Sequence, residues 1–158
     1  MAVAKLKELL EREKVKYVSI SHSTAYTAQE IAASAHITGK EIAKTVMVKL
    51  DGRMAMAVLP ATLMVEFDRL REATGAAKAA LAGEEDFERL FPECQTGAMP
   101  PFGNLYGMEV FVDRTLAEDE EIAFNAGTHA ELIRMAYRDF ERLAQPKVIA
   151  FAEPPQTA

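Results

Sequence analysis

Apolar and polar positions along this chain follow two periods. Val3, Leu6, Leu9 and Leu10 recur at helical spacing while Lys5, Lys7, Glu8, Glu11 and Arg12 fall on the other side, which predicts an amphipathic opening helix. Tyr17 to Ile20 reads as a short strand. Thr27 and Glu30 form a capping box, each able to satisfy the other's free amide, and predict a second helix towards Ala35 that Gly39 interrupts. From Ile42 to Leu50 the period changes to two, with Val46, Val48 and Leu50 alternating with Thr45, Met47 and Lys49. Asp51-Gly52 follows, then a second apolar run from Met54 to Leu59 that Pro60 closes. Two such runs around Asp-Gly predict a β-hairpin.

Beyond the hairpin the pattern predicts helices at Glu66 to Ala73, stopped by Gly75, and at Asp86 to Phe91. Prolines and glycines then punctuate Pro92 to Gly107 too densely for a regular element. Loops of that length are uncommon in compact domains and often functional. Strands are predicted at Glu109 to Asp113, Glu121 to Phe124 and Glu131 to Met135, a helix at Tyr137 to Leu143, and a last strand at Lys147 to Phe151. There is no internal repeat and no linker. One α+β domain over residues 1–153 is the reading, with strands clustered mid-chain, helices around them and a short tail at 154–158.

Composition narrows the function classes. A chain of 158 residues fits one domain and can bury roughly two thirds of its unfolded surface. No apolar run approaches the roughly 18 to 20 residues of a membrane-spanning helix. The first fourteen residues lack the apolar core and cleavage site of a signal peptide, so the cytoplasm is the default location. A lone Cys94 forms no intramolecular disulfide and supplies no zinc cluster. His22, His36 and His129 lack metal-ligand spacing, so no metal is expected. The net charge of −6 is unevenly spread, with nine Lys/Arg against six Asp/Glu in residues 1–53 and nine against eighteen in the rest. A small basic footprint of Lys40, Lys44, Lys49 and Arg53 is compatible with touching the end of a nucleic acid, not with wrapping a long duplex. Charge alone reads more simply as the solvated surface of an acidic protein.

Three segments could carry chemistry. Lys44 starts a strand and, by alternation, shares a face with Val46, Val48 and Leu50. An inward lysine is costly unless its ammonium reaches a cleft or an anion, although a strand-end lysine that snorkels to solvent fits as well. Gly97 to Gly103 combines glycines that allow close backbone approach with prolines that fix the loop, and reads equally as a rigid crossover. Gly127-Thr128-His129 can offer backbone donors and a proton carrier to a reacting carbonyl, or form an ordinary turn. There is no G-x-S-x-G elbow and no Ser-His-Asp order. Cys94 lacks a neighbouring base and reads as a partly buried loop residue.

Together these segments resemble a family. His22-Ser23, Thr27-Ala28-Gln29-Glu30 and Lys44-Thr45-Val46 are similar to the N-terminal half of YbaK-type, prolyl-tRNA-editing deacylases. Gly97 to Pro101 resembles their G-x-x-x-P loop, and Phe124 to His129 their late glycine loop. The likeness keeps the order of all three segments over nearly the whole chain. It departs at Thr128 and His129, where some members carry a serine or an arginine-glycine pair. The resemblance implies a mixed β-sheet, barrel-like core with surrounding helices. It also implies hydrolysis of the ester between a wrongly attached amino acid (alanine, cysteine or serine, with tRNA(Pro) a candidate carrier) and the terminal adenosine of tRNA.

By the same resemblance Lys44 is the signature active-site residue, joined by Gly97, Gly127, Thr128 and His129. His22, Thr45, Met99, Pro101, Phe102 and Gly103 line the substrate site. An adenosine hydroxyl assists the attacking water, and no cofactor is implied. The implied partners are the acceptor end of aminoacyl-tRNA and, as a second candidate, an aminoacyl-tRNA synthetase; no membrane is involved, and the oligomeric state is left open. Two other readings stand beside this one: a non-catalytic module that binds tRNA or a synthetase, and a hydrolase of small aminoacyl esters.

Overall fold

The alternating segment becomes the central strand of the protein. In the computed structural model, which describes residues 2–21, 41–87, 98–127 and 131–154, eight strands form one sheet. They are β1 (Tyr17–Ser21), β2 (Ile42–Leu50), β3 (Arg53–Pro60), β5 (Ala79–Leu81), β6 (Glu109–Asp113), β7 (Glu121–Asn125), β8 (Glu131–Ala136) and β9 (Lys147–Ile149). Their order across the sheet is β1-β8-β7-β2-β3-β6-β9, with β5 also pairing β2. The β2–β3, β1–β8 and β7–β8 pairs are antiparallel, while β2–β7, β3–β6 and β6–β9 are parallel, giving a mixed sheet in an α+β domain.

The Asp51-Gly52 turn has positive φ at both residues (51° and 83°), the backbone that a two-residue hairpin requires. The Asp51 carboxylate also accepts from the amides of Ala77 and Lys78, at 3.0 and 2.8 Å. Those bonds hold its pKa below the ordinary carboxylate value and tie the turn to the start of β5.

Alternation divides the core between the two faces of the sheet. Ala43, Met47, Met56 and Val58 pack with Leu6, Leu9 and Leu10 of α1 (Ala2–Arg12) and with Tyr137 and Phe140 of α5 (Tyr137–Ala144). Val48, Leu50, Ala55, Ala57 and Leu59 face the other way, onto Leu70 of α2 (Phe67–Thr74) and Phe151. Each apolar stripe of a helix thus meets one apolar face of the hairpin. No helix among the described residues is long and apolar enough to cross a membrane.

The structure departs from the predicted elements in a few places. The expected strand at 147–151 ends at Ile149, as β9, and a further short strand past its predicted end, β10 (Ala152–Glu153), pairs β4 (Met64–Val65) outside the main sheet. Asp113 causes the break: its carboxylate accepts from the amides of Phe151 and Ala152, both at 2.9 Å, and pulls the chain out of the ladder. The same side chain caps a short helix, α4 (Arg114–Ala117), that hydrophobic patterning does not mark. Of the helix predicted at 86–91 the described part is α3 (Glu84–Phe87). The capping box at Thr27 and Glu30 lies outside the described residues.

Candidate functional site

One edge of β2 changes partner along its length. Its other edge pairs β3 from Ala43 to Leu50 without interruption. On the edge in question β7 pairs only Ile42 and Ala43, and β5 pairs only Val48 to Leu50. Ala82 extends the β5 side by one bond, donating to the Met47 carbonyl at 2.9 Å. Lys44, Thr45 and Val46 therefore lie where neither strand pairs, and they are half-buried where their flanks Ala43 and Met47 are buried. Among the described residues, the sheet opens there.

Lys44 stands opposite Leu59, with Ile42 and Val46 beyond it on the same face. Among the described residues its ammonium has neither a hydrogen-bond nor an ion-pair partner. Burial alone holds its pKa below the ordinary lysine value. A partly desolvated cation without a counter-charge opposes folding, so its presence suits an anion that arrives from outside. Thr45 faces the opposite side with Ala43 and Met47. Asn125, the last residue of β7, is half-buried on the Lys44 side, since its neighbours Ala123 and Leu132 pack with Ile42.

The proline loop and the late glycine loop meet near this opening. The Gly127 amide donates to the Ala98 carbonyl at 2.8 Å, and the Ala126 amide donates to the Glu131 carbonyl at 3.1 Å. Gly127 is buried with φ +96°, a backbone region that residues with a Cβ rarely adopt. Glu131 is itself held by Lys7, at 2.8 Å, and by the Ser19 hydroxyl, so α1 and β1 brace the base of the late loop.

Met99, Pro100, Pro101, Phe102 and Gly103 are all buried. Phe102 packs edge-on against Phe140, with ring centroids 5.4 Å apart, and tilted against Phe124 at 5.7 Å. These contacts account for Phe102 by packing and anchor the loop that carries Ala98. Gly103 has its own steric reason: a Cβ there would meet the Met108 carbonyl at 2.5 Å and Val110 at 2.7 Å. Gly103→Ala should therefore cost about 1–3 kcal/mol through overpacking, read as a lower midpoint in urea. His22, Gly97, Thr128 and His129 lie outside the described residues.

A cavity of about 400 Å³ opens at the turn end of the hairpin, between Leu50, Met54, Tyr106, Met108 and Phe111. It lies six strand residues from Lys44, roughly 20 Å away. Its charged rim is paired, Arg53 to Glu109 at 3.4 Å, so it presents less uncompensated chemistry than the opening at Lys44.

Comparison with known proteins shows the family and the fold. A family model for the aminoacyl-tRNA editing domain matches residues 22–143. The multifunctional Ser/Thr-tRNA deacylase ProXp-y of Escherichia coli (strain K12) is 26% identical over 148 residues, covering 90% of this chain and 88% of the relative. A structure described as a candidate trans-editing enzyme for prolyl tRNA synthetase superposes with a TM-score of 0.82 at 19% identity, covering 96% of this chain and 97% of the other. A hypothetical protein superposes equally well, at 0.82 and 20% identity, covering 94% and 99%. At these identities the two structures speak for the fold.

Proposed function

The chain belongs to the aminoacyl-tRNA editing domain family, and from that premise we propose that it acts in trans on misacylated tRNA, hydrolysing the ester of a small amino acid. The observation that carries the reading is the half-buried Lys44 ammonium, without a partner among the described residues, beside the unpaired stretch of β2. An aminoacylated tRNA end brings a phosphate and an adenosine to such a group. Lys44 holds that end, and backbone groups around Ala98 and Gly127 grip the aminoacyl part.

The chemistry asked of the site is modest. Water adds to the ester carbonyl, the bond to the ribose oxygen breaks, and that oxygen leaves with a proton. An adenosine hydroxyl positions the water, and His129 is the side chain proposed to move the proton or select the amino acid. Fixed amides and a cation stabilise the charge that develops on the carbonyl oxygen.

Serine is the first amino acid to test. It is among the small side chains expected from the sequence, and the Escherichia coli relative bears a Ser/Thr-tRNA deacylase name. Pocket contacts discriminate single methylenes by only about 1–3 kcal/mol, so a panel is needed rather than one substrate. Alanyl-, cysteinyl- and seryl-tRNA(Pro), with seryl- and threonyl-tRNAs on other carriers, should show selective multiple-turnover release of one or two members. An aminoacyl-tRNA synthetase is the second proposed partner, and prolyl-tRNA synthetase is the first to add to the assay. Binding of tRNA without release from any member would leave a binding module. Equal competition by free aminoacyl esters would shift the substrate to small metabolites.

A further inference from the structure

Asn125 and Lys44 are the next residues along two strands that have just stopped pairing. Parallel pairing sets Ile42 beside Ala123 and Ala43 beside Phe124, so Lys44 and Asn125 follow at the same level. On its antiparallel side Asn125 stands opposite Leu132, and Leu132, Ile42 and Ala123 form one small apolar cluster. The Asn125 side chain therefore shares a face with Lys44. Paired strands run about 4.8 Å apart, and beyond Ala43 this pair ends at the opening, which places the two polar groups on either side of it. Among the described residues no side-chain hydrogen bond joins the Asn125 amide or the Lys44 ammonium to each other or to another described group. Two polar groups beside the apolar cluster of Ile42, Ala123 and Leu132 can orient a small ligand.

Their chemistries are complementary. Lys44 only donates, whereas an asparagine amide also accepts through Oδ1. An aminoacyl ester carries a strong donor next to its reacting carbonyl, the α-ammonium group. Beside Lys44 that ammonium is repelled unless an acceptor stands between the two charges. We propose that Oδ1 of Asn125 accepts from the α-amino group of the aminoacyl ester while Lys44 holds the nucleotide side, so that the site takes amino acids with a free amine and rejects N-acylated ones. The inference rests on the deacylase reading above and adds the part of the substrate that Asn125 recognises. N-acylation removes the charge and crowds the same position, so N-acetyl-aminoacyl-tRNA and peptidyl-tRNA are excluded.

The test compares alanyl-, cysteinyl-, seryl- and threonyl-tRNAs, each with and without N-acetylation, in the full-length protein and in two variants. The wild type should hydrolyse its preferred free-amine form on the order of tenfold or more better than the N-acetylated form. Asn125→Leu, close in size but unable to accept, should raise KM for the free-amine form by about tenfold with little change in kcat, and collapse that preference. Asn125→Asp should restore or lower KM, because a carboxylate binds an ammonium at least as well. Equal hydrolysis of both forms by the wild type would overturn the inference and leave the deacylase reading intact, as would equal losses on both forms in the two variants. A wild type inactive on every free-amine member would instead remove the deacylase reading, and this inference with it.

Discussion

Lys44→Met should abolish deacylation while leaving the melting temperature unchanged or raised. The two effects separate because Lys44 is a poor structural residue where it stands. Burial depresses its pKa, and among the described residues nothing compensates its charge. Methionine fills a similar volume between Ile42, Val46 and Leu59 without the desolvation cost. Catalysis should suffer on the order of a hundredfold or more in kcat/KM, the scale reached when a reacting group loses the contact that positions it. Lys44→Ala should be equally inactive, with a small loss of stability for the missing side-chain packing. An active Lys44→Met would remove the lysine from the mechanism. An inactive variant that also melts early would mean that Lys44 supports the fold instead.

The largest effect on stability is expected at Asp113, which is 2% exposed. Its carboxylate accepts from the amides of Thr115, Phe151 and Ala152, at 3.1, 2.9 and 2.9 Å, and from the Thr115 hydroxyl. Burial pushes the carboxyl up, but the Thr115 hydroxyl and those amides together outweigh it and hold the pKa below the ordinary value. Asp113→Ala strands the Phe151 and Ala152 amides and should cost about 3 kcal/mol or more. Asp113→Asn keeps one good acceptor and should cost less.

The sign of the pH dependence follows from the direction of the shift. A depressed folded pKa contributes stability that is present above the unfolded value, about 3.9, and is lost as pH falls through the folded one. Urea unfolding at pH 7 and pH 3 should therefore show the gap between wild type and Asp113→Asn narrowing on acidification. A gap that stays constant would mean that the carboxylate charge contributes nothing.

Much of this fold was legible because its strands obey one rule. From Ile42 to Leu59 alternation gave both the element and its faces, and the Asp-Gly turn gave the register. Alternation also places Lys44 on the Val46 face, where it stands opposite Leu59. What stayed hidden depends on contacts distant in sequence. Nothing local marks Asp113 as the acceptor beyond which the last predicted strand stops, because its donors Phe151 and Ala152 lie 38 and 39 residues away. The short strand β5 has only three residues, Ala79–Leu81, too few for a period to register.

The candidate site is legible in part. Lys44 and Gly127 were singled out from the residues around them, and the bond from Gly127 to Ala98 shows how two loops distant in sequence are joined. Phe102 and Gly103 were expected at the substrate, yet packing already explains both, through Phe124 and Phe140 for one and Met108 for the other. Asn125 was passed over although its signal was present. It is a polar residue ending an apolar strand, and parallel pairing with β2, which sequence does not reveal, brings it level with Lys44.

On the reading proposed above, this protein removes amino acids from tRNA through the opening at Lys44. The most direct measurement is multiple-turnover release from the best member of the mischarged-tRNA panel by wild type and Lys44→Ala, with the melting temperature of each alongside. Turnover by the wild type and its loss in a folded variant are expected. Equal turnover by both proteins, or none by the wild type on any member, would contradict that reading.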